Sequence, residues 1–253
     1  MKKTLMISLI ILIIVFLVPS LAKADTVSFK VGYFIPRAES DLWQIEFENM
    51  DFKKSDFMGS NFGFSYEYFL TRELSLALSI DGYTRKKVGL YNDYIKETVG
   101  GQDYAFDYGE GYGISHVFDV SITPIQVSLK IAPLGRKGSF IPYVGGGVGI
   151  YLWNVRIQGD MIDFSDPVEF YDTSLDEYVI GYPVYITDAR EENKIKLGYH
   201  ALGGVMFPIA NRISIEGEFK YNFLKGNFSE SFLGFEAFDL SGYQISIGLN
   251  YWF

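Results

Sequence analysis

Alternation of apolar and polar residues with a period of two is the dominant pattern along this chain. It is clearest near the carboxyl-terminal end, where every second residue from Tyr243 to Phe253 is apolar or aromatic and the residues between them are mostly small or polar. Because alternate side chains of a strand point to opposite faces, this pattern predicts a strand with one apolar face. The face has aromatic ends, as a transmembrane strand of about 9–11 residues does, whereas a strand of a soluble sandwich seldom alternates for so long.

The same alternation recurs in five further segments, and two more segments, 143–157 and 195–207, are glycine-rich strands whose facing is less certain, so the sequence predicts eight strands. Their connectors are 20, 3, 31, 11, 37, 5 and 16 residues long, alternately long and short. Outer-membrane barrels have this asymmetry, with short periplasmic turns and long outer loops. Pro124 predicts a bulge or a register change within its strand. The apolar and aromatic segment 177–187 either extends a hairpin beyond the membrane or raises the count to ten strands. The predicted strands are 27–36, 57–70, 74–85, 117–131, 143–157, 195–207, 213–223 and 240–253.

A closed barrel is the all-β architecture that suits these strands in a membrane. In hydrocarbon every backbone N–H and C=O must be paired within the protein, and closure removes the free edges of a sheet. The sequence therefore predicts an eight-stranded antiparallel transmembrane β-barrel whose polar face lines the lumen. An eight-stranded barrel is about wide enough for side chains to fill, so we expect a plugged core held by charge pairs. A gated or ion-selective conduit is the alternative. The charged side chains predicted to point inward are Lys30, Arg85, Lys130, Lys220, Glu67, Asp81, Glu216 and Glu218.

The first 24 residues have the features of a cleaved signal peptide. Lys2 and Lys3 form a positive start, an apolar run covers residues 5–18, and Ala22 and Ala24 frame a cleavage signal before Asp25. The run is short for a membrane-spanning helix, which needs about 20 residues, so an uncleaved anchor is the less favoured alternative. We therefore expect residues 1–24 to be removed and residues 25–253 to form the barrel.

Composition and charge exclude several classes of function. The chain has no cysteine, which excludes disulfide frameworks and thiolate metal sites. Its 22 basic and 31 acidic residues give a net charge of −9, and removal of the signal peptide lowers this to −12 because three lysines leave with it. An acidic surface is a poor partner for nucleic acid. We expect no cofactor and no metal.

Several segments together resemble the small outer-membrane β-barrel family that includes OmpA-, OmpX-, OmpW- and opacity-like proteins. They are the strand 27–36, the strand-turn-strand unit 62–85, the glycine-rich segment 142–147 and the final aromatic residues 251–253. The resemblance implies location in a Gram-negative outer membrane, contact with lipid and lipopolysaccharide, and recognition of Phe253 by the barrel assembly machinery. It also implies a structural or adhesive role, or an OmpW-like conduit for small or hydrophobic solutes. Since the sequence ends at Phe253, we expect no peptidoglycan-binding domain. We also expect the barrel to be a monomer.

The resemblance also raises the alternative of a lipid A-modifying enzyme, which needs a histidine and a serine near the outer rim. The chain has only His116 and His200. Ser115 and His116 are adjacent, so in a regular strand they point to opposite faces, although Asp119 lies nearby. We therefore expect no catalytic residues, with His116 in water at the rim and His200 in the lumen or the aromatic girdle.

The long loops are acidic and aromatic. Ten acids stand against Arg190 and Lys194 in residues 158–194, and a solvated acidic surface is favoured there over a calcium or magnesium site. The 86–116 loop is rich in aromatic residues, which suit either an extracellular protein or glycan partner or packing of the loop onto the barrel. The acids are Asp160, Asp163, Asp166, Glu169, Asp172, Asp176, Glu177, Asp188, Glu191 and Glu192, and the aromatic residues are Tyr91, Tyr94, Tyr104, Phe106, Tyr108 and Tyr112.

Overall fold

The computed structural model describes residues 25–107 and 113–253, and these form an eight-stranded antiparallel β-barrel with a folded extension at one end. The predicted signal peptide, Tyr108 and Tyr112 lie outside the described residues. The elements in chain order are β1 (Thr26–Pro36), α1 (Asp41–Asn49), a 3-10 helix (Lys54–Phe57), β2 (Gly59–Phe69), β3 (Leu74–Leu90), β4 (Tyr94–Val99), β5 (Gln102–Asp107), β6 (Ser115–Ile131), β7 (Ile141–Ile162), β8 (Val168–Asp172), β9 (Glu177–Ala210), β10 (Ile213–Phe223), β11 (Lys225–Gly226), β12 (Phe238–Asp239) and β13 (Gly242–Trp252).

The ring consists of β1, β2, β3, β6, β7, β9, β10 and β13, and it closes where β13 pairs with β1. These are the eight strands that the alternation predicts, but three of them are longer than predicted: β3 continues to Leu90 and β7 to Ile162, and β9 begins at Glu177 where the sequence predicts a start at 195. The alternative of ten strands is wrong for the described residues, because β8 pairs with β9 outside the ring. The segment 177–187 instead extends a hairpin beyond the barrel, since β9 begins at Glu177 and stays paired with β7 as far as Ile162.

The prediction of a bulge or register change at Pro124 is wrong. The pairing of β3 with β6 has the same register on both sides of it, from Ile80 opposite Ile125 to Tyr83 opposite Ile122. On its other side Pro124 lies opposite Tyr151 in an unbroken ladder with β7. Proline removes one backbone donor here without shifting the strand.

The glycines of β7 allow this strand to lie close to β6. The sequence of this segment is too rich in glycine to indicate which side chains point inward. A Cβ added at Gly147 would lie 1.9 Å from the carbonyl oxygen of Val127 on β6. The single glycine bulge of β7 lies further out, between Ile157 and Gly159, where Gly159 has a φ of +129° that glycine tolerates best.

The outer wall of the barrel is apolar and the lumen is polar. Outward side chains with more than a third of their surface exposed include Phe29, Val31, Phe62, Phe64, Leu76, Ile80, Val127, Leu129, Ile131, Val144, Val148, Ile150, Ile195, Leu197, Phe207, Ile215, Phe219, Ile245, Ile247 and Leu249.

The longer strands β3, β6, β7 and β9 continue past this belt into a separate extension. There β4 and β5 form a hairpin whose inner strand pairs with β9, and β8 pairs with the first residues of β9. Among the described residues, no helix is long and apolar enough to cross a membrane.

Candidate functional site: the lumen and its cap

The charged residues predicted for the lumen point into it. Seven of the eight are buried, with at most 5% of their surface exposed. Arg85 is the exception, since it lies half-buried at the outer end of the barrel and donates a hydrogen bond from Nε to the carbonyl oxygen of Met58, at 2.7 Å. The seven are Lys30, Glu67, Asp81, Lys130, Glu216, Glu218 and Lys220.

One group of charges, the lower cluster, fills the half of the lumen nearer the short turns. Lys30 Nζ lies 2.8 Å from Glu218 and 3.4 Å from Glu216. Lys130 Nζ lies 3.3 to 3.5 Å from one oxygen each of Glu67, Glu216 and Glu218. Several strands thus share one set of charges, and each cation has more than one carboxylate partner.

A second group, the upper cluster, lies next along the lumen. Lys220 Nζ contacts Asp81 at 2.8 Å and the side-chain oxygen of Gln126 at 2.9 Å. The amide nitrogen of Gln126 donates to Tyr151, at 2.6 Å, and to Asn222, at 2.8 Å. Charge pairs and neutral hydrogen bonds therefore join β3, β6, β7 and β10 across the interior.

Two members of the lower cluster were not predicted. Tyr143 lies on β7 among glycines, and its hydroxyl donates to Glu216 and, at 3.0 Å, to Glu218. Arg136 belongs to the short turn between β6 and β7, and it reaches back into the barrel to Glu67, at 3.1 Å, and to the hydroxyl of Ser75, at 2.7 Å. The alternation of β7 could have indicated Tyr143, but a turn residue has no periodicity, so the sequence gives no signal for Arg136.

The other end of the lumen is closed by apolar side chains. Helix α1 places Trp43 over the barrel mouth, where its ring packs 5.0 Å from Phe57, 5.0 Å from Phe118 and 5.2 Å from Phe238. The indole nitrogen of Trp43 donates to the carbonyl oxygen of Asp239, at 3.0 Å. We call this assembly of α1, the 3-10 helix and the aromatic residues around Trp43 the apolar cap.

His116 belongs to the apolar cap, so the prediction of a rim residue in water is wrong. Only 2% of its surface is exposed, and its Nε2 lies 2.7 Å from a carboxylate oxygen of Glu46 on α1. The sequence could not indicate this contact because it depends on how the loop after β1 folds over the strand. Ser115 and Asp119 are half-buried on the opposite side of β6 from the buried His116, so the three do not converge into a catalytic set.

His200 lies in the lumen, the first of its two predicted places, with its Nε2 2.7 Å from the hydroxyl of Ser128. Both side chains are buried. The Nδ1 atom of His200 has no hydrogen-bond partner within the described part of the chain, so no carboxylate orients the ring as in a Ser-His-acid triad. This pair is a lumen hydrogen bond and lacks the access that a substrate would need.

Two small cavities lie in the described interior. One cavity of about 10 Å³ lies between the upper cluster and the apolar cap, beside Asp81, Tyr151 and Asn222. A second of about 10 Å³ lies among Lys130, Lys220 and other lumen side chains. Each has room for about one water molecule.

The acidic segment 158–194 forms the outer parts of β7 and β9 together with β8. Among residues 25–107 and 113–253, no group of three His, Cys, Asp or Glu side chains is arranged to hold a metal ion. Glu192 fixes the loop after β10, because it accepts a hydrogen bond from the backbone N–H of Ser229, at 2.6 Å, and pairs with Lys194. Burial raises the pKa of Glu192, but the Lys194 and Ser229 contacts outweigh burial and the pKa is lowered overall.

Several aromatic residues of the 86–116 loop pack within the extension, as one of the two interpretations predicts. Tyr91 and Phe106 are buried, and Tyr94 packs against Tyr182 at a ring-centre distance of 6.1 Å. Tyr104 packs on Phe170 at 4.8 Å.

No protein-family model matches the sequence, nor does any curated protein. Among solved structures, the chain is similar to Neisserial surface protein A (NspA), at 11% identity over 90% of this chain and 96% of that one, with a TM-score of 0.48. It is similar to Yersinia pestis Ail in complex with the heparin analogue sucrose octasulfate, at 12% identity over 91% and 99%, with a TM-score of 0.44. It is also similar to the N-terminal β-barrel domain of Pseudomonas aeruginosa OprF, at 9% identity over 91% of this chain and 100% of that one, with a TM-score of 0.42. At these identities the similarity concerns the fold and assigns no function.

Proposed function

We propose that this chain is an outer-membrane barrel with a sealed lumen, a structural or interaction protein that works through the extension beyond the membrane. It conducts no solute and catalyses no reaction. The observation that carries this proposal is the closure of the interior at two levels, by the charge clusters inside the belt and by the apolar cap above them.

The exposed apolar belt supports a membrane environment. Soluble proteins rarely expose contiguous apolar patches larger than a few hundred Å², whereas here such side chains surround the barrel. Two rows of polar residues, formed by direct cross-strand neighbours on the outward face, border the belt on the side of the extension. The nearer row is Thr84, Ser121, Asn154 and Asn193, and the further row is Lys86, Asp119, Arg156 and Glu191.

The asymmetry of the two ends supports an orientation with the extension outside the cell. The connectors at the opposite end are short turns, and both ends of the barrel sheet, Thr26 and Trp252, meet there in the β1–β13 pairing. In this orientation residues 1–24 would act as a cleaved signal peptide that directs export. Phe253 follows β13 with 51% of its surface exposed, and we assign it the contact with the assembly machinery. The belt would contact lipid, including lipopolysaccharide, in a monomeric barrel.

The lumen contacts support a sealed barrel over a conduit. A pathway for ions would have to separate Lys30 and Lys130 from buried carboxylates, and uncompensated buried charges are costly. It would then have to displace the packed rings around Trp43. A lateral exit for hydrophobic solutes would need a gap in the wall, yet each strand of the ring is paired with both neighbours.

Planar-bilayer recording tests this proposal. Purified protein in lipid bilayers should show no discrete conductance steps, whereas a general porin in the same membranes provides the positive control. Stable unitary steps from the wild-type barrel would refute the sealed lumen and favour the conduit.

Mass spectrometry of lipid A from cells with and without the gene tests the enzymatic alternative, and a difference in acylation would refute the absence of catalysis.

A further inference from the structure

The hairpin of β8 and β9 presents an apolar face that nothing in the described chain covers. Tyr171 lies directly opposite Tyr178, and Glu169 lies opposite Ile180, so the four side chains share one face, which we call the tyrosine face. The exposed fractions are 52% for Tyr171, 72% for Tyr178 and 49% for Ile180. The two tyrosine rings contact each other edge to face, with centres 5.2 Å apart.

The tyrosine face is held in place from behind. Phe170 points to the opposite side of β8 and packs against Tyr104, at 4.8 Å, and Phe106, at 5.3 Å. At the turn of the hairpin, the hydroxyl of Tyr171 donates to Asp176. Because this packing lies on the other side of β8, Tyr171, Tyr178 and Ile180 keep about half or more of their surface exposed. Rigid aromatic side chains of this kind bind partners at a low cost in conformational entropy.

The charge of the segment that carries the tyrosine face has one sign. Residues 163–180 contain no Lys, Arg or His. A field of this kind attracts cations and repels sulfated glycans and phosphate groups. The six acids of this segment are Asp163, Asp166, Glu169, Asp172, Asp176 and Glu177.

We propose that the tyrosine face is a docking site for a cationic, arginine-rich segment of a partner polypeptide. The guanidinium groups would stack on Tyr171 and Tyr178 while the surrounding carboxylates accept their hydrogen bonds. Arginine fits better than lysine because its planar group combines stacking with bidentate hydrogen bonding. In cells this role rests on the proposed function, which turns the extension outward, but the binding itself can be measured on the purified barrel.

The test uses fluorescent oligoarginine and oligolysine peptides of equal length and the full barrel in a zwitterionic detergent. Fluorescence anisotropy should show tighter binding of oligoarginine, and the affinity should fall as salt rises from about 0.05 to about 0.3 M because the charges become screened. Heparin, the anionic probe, should not bind. Equal affinity for the two peptides, or binding of heparin, would overturn the proposal.

Two pairs of variants separate the face from the overall charge of the protein. Glu169→Gln with Asp176→Asn, which removes one charge from the tyrosine face and one from the turn beside Tyr171, should weaken binding of both peptides by at least about fivefold, whereas Glu48→Gln with Glu230→Gln, which removes the same charge from exposed sites elsewhere, should not. If both pairs weaken binding equally, the site is not the tyrosine face.

The aromatic contribution has its own variant. Tyr171→Leu with Tyr178→Leu keeps the apolar area but removes the rings, so the preference for oligoarginine over oligolysine should disappear. A preference that survives this change would contradict the proposed stacking. Unchanged heat-modifiable mobility of each variant would confirm an intact barrel, and failure of peptide binding in an intact, non-conducting barrel would leave the sealed-barrel proposal standing.

Discussion

Replacement of Lys130 by leucine tests the physical basis of the sealed lumen. Lys130 Nζ lies 3.3 to 3.5 Å from three carboxylates, and only 4% of the side chain is exposed. In the native lower cluster three carboxylates are balanced by three cations, so the substitution leaves one carboxylate in excess. The six groups are Glu67, Glu216, Glu218, Lys30, Lys130 and Arg136.

The expected loss is large on the scale of protein stability. Removing one partner from a buried ion pair costs about 3–5 kcal/mol, because the remaining charge stays buried without compensation. Domains are stable by only about 5–15 kcal/mol. The double variant Lys130→Leu with Glu216→Gln restores the balance of two against two and keeps an acceptor for Tyr143. It should therefore be more stable than the single variant, although it carries one more substitution.

Urea unfolding in detergent micelles, followed by heat-modifiable gel mobility, provides the measurement. The single variant should unfold at a clearly lower urea concentration than the wild type, and the double variant should lie between them. Lys86→Leu is the matched control, since Lys86 is exposed at the border of the belt and should change stability by less than about 0.5 kcal/mol. The reasoning is refuted if the single variant unfolds with the wild type, or if the double variant is no more stable than the single.

Three further predictions concern the two closures and the outer loop. Arg136→Ala should lower stability by about 1–3 kcal/mol in the same urea assay, since it leaves Glu67 with one partner fewer; an unchanged midpoint would show that the turn does not seal the base. His116→Phe should leave Glu46 buried without its partner and raise protease cleavage in the loop after β1, whereas unchanged cleavage would argue against a fastening role. Because the pKa of Glu192 is lowered on folding, its contribution is present above the ordinary value of 4.5 and is lost as the pH falls through the lower folded-state value. The protection factor of the loop after β10, which is the intrinsic hydrogen-exchange rate divided by the observed rate, should therefore fall at low pH in the wild type, and a protection factor that does not change with pH would contradict this.

The sequence predicts the strands and the facing of the lumen charges because both depend on a local period of two. Lys30 and Lys220 are assigned inward by their immediate neighbours alone. Which carboxylate each lysine meets depends instead on the stagger of strands across the closed ring, and no local pattern contains that. Arg136 and the helix that carries Trp43 lie in connectors, where conformation follows from packing and not from periodicity.

Strand β6 has, besides Pro124, a second feature that normally accompanies an irregularity. Its apolar positions are Phe118, Val120 and Ile122 and then Ile125, Val127, Leu129 and Ile131, so the apolar phase shifts by one residue around Pro124. A shift of this kind normally indicates a bulge. The register is nevertheless continuous, and the first three residues point inward while the last four point outward.

The surroundings change at Pro124, and the backbone does not. At the level of the belt, the outward side faces lipid and must be apolar, while the inward side holds the charge clusters. Beyond the belt, the outward side faces water and must be polar, while the inward side packs against the apolar cap. Strand β7 shows the same change: its outward apolar residues end near Ile150, and beyond that level its apolar residues Trp153 and Val155 point inward. The switch of the apolar side from outward to inward is therefore a property of the barrel and not of one strand. Such a phase shift without a bulge marks where a strand leaves the membrane. The extension above that level is therefore built like a water-soluble β-protein, with its own apolar core and a polar exterior, and this is what allows it to carry an exposed docking face outside the membrane.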